Sequence, residues 1–284
     1  MKAPPFAYVK AESIAQVSDL LLRHGDGARI LAGGQSLLAA LNLRLSAPEL
    51  LIDITALPGM ADITLHGATV RIGALVTHAE LESSAVISRH LPLLAQAVPH
   101  VGHVAIRNVG TFGGSIALAD PAAEYPACAV ALGATFTLAG KTGERRVAAS
   151  EFFRGLYETA LRPGEVLIAG EFPVHATGEH SALLELSRRH GDYAIVGVAA
   201  RTRIDDGRFS DTRLAFFGVG NKPLLAARAS AAVEGRVAGP ETITAAQAAL
   251  AMELHPAADL YTSAPTKLHL AKVLTGRALA ALAS

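Results

Sequence analysis

The sequence has no tryptophan, a single cysteine and few other aromatic residues. Because Cys128 stands alone, an internal disulfide and any cysteine-based iron–sulfur or zinc site within these residues are excluded. It lies in the apolar run 127–132 and is interpreted as a buried small side chain rather than a nucleophile. Aromatic residues make up 5% of the chain, so a planar cofactor would find only a few Tyr and Phe side chains to stack on.

An excess of positive charge and long apolar runs are also missing. Lys and Arg number 25 and Asp and Glu number 25, so no basic surface for nucleic acid or anionic membranes is indicated. The most hydrophobic stretches, such as 194–200, are far shorter than the roughly 20 residues that cross a bilayer. We therefore expect a soluble, cytoplasmic protein with no nucleic-acid partner and no membrane span. No metal site is expected either, because the histidines lack the spacing of paired ligands.

The first part of the chain predicts alternating helices and strands. A helix over 13–25, with a serine at its start and a glycine at its end, precedes strands at 28–32 and 50–54. These elements make a small α/β unit over about 1–56. Alternating runs from residue 63 onward predict a second, mixed unit that ends near residue 174.

The last part of the chain begins at a turn-rich break over 173–178. Two strands are expected after it, at 193–204 and 212–219, followed by an alanine-rich helical tail from 223 to 283. We therefore predict an α+β protein with one domain over 1–174, divided into subdomains of about 1–56 and 57–174, and a second over 175–284.

Two glycine turns carry the clearest chemical signal. The first is Ala32-Gly33-Gly34-Gln35-Ser36, followed by Leu37, and the second is Thr111-Phe112-Gly113-Gly114-Ser115. Glycine lets backbone N–H groups approach a ligand closely, and such N–H groups with a hydroxyl suit phosphate oxygens. Taken singly, each turn is as well explained as a tight connection between two elements. Neither matches G-x-G-x-x-G or ends in Gly-Lys-Ser/Thr, so a Rossmann dinucleotide site and a P-loop are poorly supported.

These turns, together with three further motifs, resemble the FAD-binding medium subunit of molybdenum hydroxylases, the family of carbon monoxide dehydrogenase and xanthine dehydrogenase. The further motifs are Asp120-Pro121-Ala122-Ala123-Glu124, Arg188-Arg189-His190-Gly191-Asp192-Tyr193-Ala194 and the region 258–279. The resemblance implies an FAD-binding domain of two α/β subdomains (PCMH-type), followed by a C-terminal domain with a small antiparallel sheet and helices.

The resemblance also implies which residues hold FAD. The two turns would wrap the pyrophosphate, and Glu124 stands where the family usually has an aspartate directed toward the ribityl or phosphate region. Leu167 falls where backbone groups meet the adenine end, and Tyr193 matches an aromatic residue near the isoalloxazine ring. Phe112 is expected either at the flavin edge or in the core, and Tyr193 alone would equally suit a surface strand. The full set of implied cofactor-binding residues is Ala32, Gly33, Gly34, Gln35, Ser36, Leu37, Thr111, Phe112, Gly113, Gly114, Ser115, Glu124, Leu167 and Tyr193.

The implied function is electron transfer within a larger enzyme. A large partner would carry a molybdenum cofactor, a small partner would carry two [2Fe–2S] clusters, and this chain's FAD would accept electrons and pass them to an external acceptor. A dimer of heterotrimers is the expected assembly, with redox chemistry at the flavin and no catalytic side chain. Two alternatives stay open: a self-sufficient FAD oxidoreductase of the same fold, and a non-catalytic assembly subunit.

Overall fold

The computed structural model describes residues 2–284, and the chain starts with a three-stranded parallel sheet in the order β1-β3-β2. Its elements are β1 (Ala7–Lys10), α1 (Ile14–His24), β2 (Ala28–Leu31), α2 (Leu37–Asn42) and β3 (Leu50–Asp53). The capped helix predicted from the sequence is confirmed, because the Ser13 hydroxyl accepts from the N–H of Gln16 and Gly25 ends α1 with a φ of +50°.

The second unit is built on a five-stranded antiparallel sheet in the order β4-β5-β10-β6-β7, with a small two-stranded hairpin, β8-β9, beside it. Its elements are β4 (Ile63–His66), β5 (Thr69–Gly73), α3 (His78–Ser83), α4 (Ala85–His90), α5 (Pro92–Ala97), α6 (Val104–Arg107), α7 (Phe112–Leu118), α8 (Glu124–Leu132), β6 (Thr135–Gly140), β7 (Gly143–Ala148), α9 (Ala149–Phe152), β8 (Phe153–Gly155), β9 (Glu158–Thr159) and β10 (Val166–Pro173).

The C-terminal part contains the expected small antiparallel sheet, with four strands in the order β11-β12-β13-β14, and helices that pack on it. Its elements are β11 (Glu179–Ser187), β12 (Ala194–Asp205), β13 (Arg208–Phe217), β14 (Leu224–Leu225), α10 (Ala227–Ala231), α11 (Pro240–Leu250) and α12 (Ala264–Leu282). The edge strand β11 is bound by Gln96 of α5, which donates to the Ser181 carbonyl oxygen at 3.2 Å and accepts from the Leu183 N–H at 2.9 Å.

Helix α8 joins the second unit to the C-terminal sheet. All nine of its residues are buried, and after Glu124 and Tyr125 the helix consists of apolar residues only, as expected for a helix enclosed on every side. Two arginines of the C-terminal sheet cap its last turn: Arg201 Nε donates to the Ala131 carbonyl oxygen at 3.0 Å, and an Arg213 guanidinium nitrogen donates to that of Val130 at 2.9 Å. The carbonyl groups that end the helix are therefore satisfied by side chains more than 60 positions away in sequence.

Within residues 2–284 there is no helix that is both long and apolar enough to cross a membrane. The same part of the chain has no group of three or more His, Cys, Asp or Glu residues arranged to hold a metal ion.

Candidate functional site

The first glycine turn connects β2 to α2 and presents unused backbone donors. In the part of the chain that the structure describes, the N–H groups of residues 33–36 donate to no backbone or side-chain acceptor. Gly34 takes the left-handed conformation, with a φ of +68°. Gln35 donates to the Gly33 carbonyl oxygen at 3.2 Å, and Gln35 and Ser36 are exposed. The turn therefore offers a row of free amides that suits an anion.

The second glycine turn is different, because most of its amides are already used. Thr111 caps α7 by accepting from the Gly114 N–H at 3.1 Å. The N–H groups of Phe112, Gly113 and Ser115 donate at 2.8, 2.8 and 3.1 Å to backbone carbonyl oxygens. The sequence predicts converging N–H donors from both turns, and only the first has them free. The backbone of the second turn is instead held in place by these hydrogen bonds, and Gly114 is its exposed residue.

The two turns lie against each other although they are far apart in sequence. A Cβ atom built on Gly33 would stand 2.2 Å from the Val109 carbonyl oxygen and 2.7 Å from the Gly110 Cα. No side chain fits at that distance, so glycine is needed at residue 33 for the first turn to pack on the backbone that leads into the second. The pairing of the two turns, inferred from the motifs, thus corresponds to a direct backbone contact.

The Phe112 side chain belongs to the core. It is fully buried, with its ring centroid 6.0 Å from that of Tyr125 and 5.9 Å from that of Phe172. The hypothesis that this side chain reaches the edge of a flavin is corrected accordingly. The N-terminus of α7 is hydrogen-bonded to Ala74 and Val76, which follow β5, and this holds the Phe112 side chain in the core.

Leu167 is also buried, in the central strand β10, where it pairs with Leu138 of β6. Its neighbour Ile168 accepts from the Ala74 N–H at 2.9 Å, and Ala74 in turn accepts from Gly113. The strand that carries Leu167 is thus linked to the second turn through the two backbone hydrogen bonds that Ala74 makes with Ile168 and Gly113.

Polar side chains gather where α7 ends and α8 begins. Asp120 accepts from the Ala122 N–H at 2.9 Å and from the Tyr157 hydroxyl at 3.3 Å. Tyr193 is 68% exposed, and partial burial, followed by the charges of Asp120, Glu124 and Asp192, raises its pKa. Glu124 and Tyr193, both singled out in the sequence, therefore lie within electrostatic reach of each other and of Asp120, which also accepts from Tyr157.

Glu124, the first residue of α8, is buried and has a strongly altered ionisation. Burial raises its pKa to about 8 and outweighs the hydrogen bond from its own backbone N–H, and the charges of Glu185 and Asp120 act in the same direction. Sequence reasoning missed Glu185, although a lone glutamate between Leu184 and Leu186 in a mostly apolar strand is a usable signal.

Two family models match the chain. One is described as the FAD binding domain in molybdopterin dehydrogenase and covers residues 4–175, and the other as the CO dehydrogenase flavoprotein C-terminal domain, over residues 181–282. The chain belongs to the flavoprotein-subunit family of molybdenum hydroxylases. The first of these models describes a domain that binds FAD, and both glycine turns lie within the residues it matches.

Similar proteins align with this flavoprotein subunit over nearly its whole length. The 6-hydroxypseudooxynicotine dehydrogenase complex subunit alpha of Paenarthrobacter nicotinovorans is 38% identical over 99% of this chain and 95% of the relative. The carbon monoxide dehydrogenase medium chain of Hydrogenophaga pseudoflava is 36% identical over 98% of this chain and 97% of the relative.

Solved structures agree with this assignment. Carbon monoxide dehydrogenase from Hydrogenophaga pseudoflava matches with a TM-score of 0.97 and 38% identity, over 99% of this chain and 98% of that one. Quinoline 2-oxidoreductase from Pseudomonas putida 86 matches with a TM-score of 0.94 and 37% identity, over 100% of this chain and 98% of that one. The fold class predicted from the sequence is therefore confirmed.

The residues of this flavoprotein subunit fit FAD. The free amides of the first turn are donors without acceptors, and a pyrophosphate supplies acceptors. A Cβ atom on Gly114 would stand 2.9 Å from the Thr111 hydroxyl oxygen, too close for that side chain to keep its place, so glycine at residue 114 lets Thr111 cap α7. The site thus combines free donors on one turn with a second turn whose exposed Gly114 carries no side chain.

The raised pKa of Glu124 predicts a pH-dependent stability. Below its ordinary value of 4.5 the residue is protonated in both states, but up to about pH 8 only the folded state keeps the proton. The free energy of unfolding should therefore fall between about pH 5 and pH 8, on the order of 4 kcal/mol at about 1.4 kcal/mol per pKa unit.

Glu124→Gln should shrink this fall, because glutamine holds no titrating proton. Urea unfolding of the FAD-free chain at several pH values measures it, with Glu151→Gln, an exposed glutamate of α9, as the matched control. Equal slopes in both variants would contradict the prediction.

Proposed function

We propose that this chain is the FAD-carrying electron-transfer subunit of a molybdenum hydroxylase. The observation that carries the proposal is the row of free amides at residues 33–36, packed on the backbone that leads into the second glycine turn. Relatives named as a medium chain and as a complex subunit support large and small partners. We propose further that the assembly is a dimer of heterotrimers, in which partner iron–sulfur clusters reduce this FAD and an external acceptor reoxidises it.

The chain's own residues bind and orient the cofactor in this proposal. The amides of the first turn, with Ser36 and Leu37 at the start of α2, hold the pyrophosphate, and Thr111 fixes Gly114 so that the second turn stays clear. The buried Leu167 region supports the adenine end, and Tyr193 flanks the ring. When bound, FAD supplies the electron-transfer chemistry, so the protein needs no general base.

We propose that the boundary between the FAD-binding domain and the C-terminal domain lies at about residue 174.

Purification of the native protein with its partners tests this function. We expect flavin absorption bands on this chain, together with molybdenum and iron in the co-purified complex. A chain that is isolated alone, free of metal, and that oxidises a substrate by itself would support the self-sufficient flavoenzyme instead. A chain without flavin bands after addition of FAD would overturn both redox functions.

Gly114→Ala is expected to separate cofactor binding from folding. The added methyl group would stand 2.9 Å from the Thr111 hydroxyl oxygen, so the second turn must shift and FAD should bind at least roughly tenfold more weakly, about 1.4 kcal/mol. The stability of the FAD-free chain should change by less than about 1 kcal/mol, because alanine favours the helix while the Thr111 cap is disturbed. Flavin fluorescence titration and urea unfolding measure the two effects, and equal FAD affinity would contradict the assignment of this turn.

A further inference from the structure

A cavity of about 680 Å³ lies where the second unit meets the C-terminal part of the chain. One wall consists of the last turn of α8 and residues within 149–155, around α9 and β8. The other wall consists of residues within 221–225, which lead into β14, and of residues 255 and 257. Neither 32–37 nor 111–115 lines this cavity, so it is separate from the two glycine turns. Its volume falls within the range of roughly 300–1,000 Å³ that is typical of small-molecule sites.

The walls of the cavity are partly apolar and are held in place by packed elements. Phe153 is buried, and its ring packs edge-on against Phe136 and Phe152, with centroids 5.9 and 5.2 Å away. On the other wall, Leu225 pairs with Ala215 of β13. Because both walls belong to ordered elements, the cavity is formed before a ligand binds, and it suits a molecule with a planar apolar body.

Three basic side chains line the same cavity. Arg154 comes from β8, Lys222 from the loop before β14, and His255 from the loop after α11. Within residues 2–284 none of the three forms an ion pair. No aspartate or glutamate of the described chain lines the cavity. Its lining therefore carries positive charge that the protein itself leaves unmatched.

The carboxylate nearest to His255 in sequence is already used elsewhere. Glu253 lies at the start of α10, where its two oxygens accept from the N–H groups of Arg228 and Ala229 at 3.0 and 2.8 Å. The whole chain has 25 basic and 25 acidic residues, so an excess of positive charge is a local property of this cavity and not a general one. Such a local excess attracts an anion.

The loop before β14 adds backbone donors to the basic side chains. In the part of the chain that the structure describes, the N–H groups of Asn221 and Lys222 donate to no backbone or side-chain acceptor. Both residues line the cavity. Backbone N–H groups beside cationic side chains are the donors that bind phosphate and carboxylate oxygens.

We propose that this cavity binds an organic anion. Its phosphate or carboxylate group is held by Arg154 and Lys222, with His255 as a further donor, and its planar apolar body lies against Phe153. An inorganic ion alone would leave most of the volume to water, since one water molecule takes up about 30 Å³. Because Arg154 belongs to the second unit and the other two basic residues to the C-terminal part, the bound anion links these two parts of the chain. The site is additional to the proposed function and does not depend on it.

Anilinonaphthalene sulfonate is the probe that tests the site, because it joins an anionic group to a planar apolar body. Calorimetric titration of the full chain, with FAD in excess to compete at the glycine turns, should show one bound probe per chain. Phenylnaphthylamine, which has similar rings and no charge, should bind at least roughly tenfold more weakly. Equal affinity for the two probes, or no binding of the anionic one, would overturn the inference.

Removal of the two permanent charges should weaken the anionic probe selectively. The double variant Arg154→Gln and Lys222→Gln should bind it at least roughly tenfold more weakly, with the affinity for phenylnaphthylamine unchanged. The matched control is Arg89→Gln with Arg277→Gln, two exposed arginines outside the cavity. All four side chains are exposed, so both double variants should fold, which circular dichroism checks. If the two double variants bind the anionic probe alike, the inference is wrong.

A carboxylate placed in the cavity provides an independent test. Ala257 and Ala258 are exposed neighbours, and of the two only Ala257 lines the cavity. Ala257→Glu should weaken binding of the anionic probe at least roughly tenfold by repulsion, whereas Ala258→Glu should bind it as the unsubstituted chain does. Equal weakening in both variants would place the probe elsewhere and overturn the inference.

Two competitors distinguish the kind of anion. Phenyl phosphate and benzoate share a planar ring and differ in the anionic group, so the one that displaces the probe at the lower concentration identifies the group that the site prefers. Failure of both to displace the probe would contradict the site. A chain that binds the probe in this way but takes up no FAD would count against the proposed function alone.

Discussion

Gly33→Ala is expected to leave the purified protein with less than roughly a tenth of its FAD, a loss of at least about 1.4 kcal/mol in binding. The new Cβ atom would stand 2.2 Å from the Val109 carbonyl oxygen and 2.9 Å from the Val109 carbonyl carbon. Both neighbours are backbone atoms, so no side-chain rotation relieves the overlap and the two glycine turns must separate. The free energy of unfolding should fall by about 1–3 kcal/mol, as for other overpacked sites.

Gly220→Ala is the matched control for this substitution. A Cβ atom there would meet only the Lys222 carbonyl oxygen, at 3.9 Å, and its backbone is outside the left-handed region. The ratio of flavin to protein absorbance after gel filtration measures FAD content. Full FAD content in Gly33→Ala would show that contact between the turns is not needed to hold the cofactor.

Arg201→Met is expected to lower the free energy of unfolding by about 3 kcal/mol, because it strips the buried Ala131 carbonyl and the nearly buried Glu179 carboxylate of a partner at once. The Arg201 side chain is 13% exposed, and its Nε caps α8 at Ala131. Its guanidinium also lies 3.0 Å from Asp211 and 3.8 Å from the nearly buried carboxyl of Glu179. Methionine would preserve the packing of the aliphatic stem and remove all these interactions.

Arg203→Met provides the control on the same strand. Arg203 is 48% exposed and pairs with an exposed Asp205 at 3.8 Å, so its loss should cost less than about 1 kcal/mol. Urea unfolding of both variants measures their free energies of unfolding. If the two variants have equal stability, Arg201 does not fasten α8 to the C-terminal sheet.

Local signals in the sequence predicted the elements and turns well. Helix α1 follows from a serine cap and a terminal glycine, and the first glycine turn from a strand that runs into Gly33. Each of these signals lies within a few neighbouring residues. The strand β11 was missed because its central apolar run is interrupted by Glu185, and a buried glutamate looks like a break in the pattern.

The features that were not predicted depend on contacts between distant segments. The burial of Phe112 depends on packing against Phe172, 60 positions later, and its position in the motif gives no sign of this. The effect of Glu185 on the pKa of Glu124 likewise depends on α8 and β11 lying near each other. The motifs predict Glu124 near the cofactor, and the sequence marks Glu185 as unusual in an apolar strand, but it does not indicate that the two act on each other.

The hydrogen bonds of Gln96 also guard the protein against aggregation. Strand β11 is the edge of the C-terminal sheet, and its outer face would present unpaired N–H and C=O groups to any other extended chain. By bonding the Ser181 carbonyl and the Leu183 N–H, one glutamine side chain takes the place that a foreign strand would occupy. Because α5 precedes β11 in the chain, Gln96 has already been synthesised when the edge strand emerges.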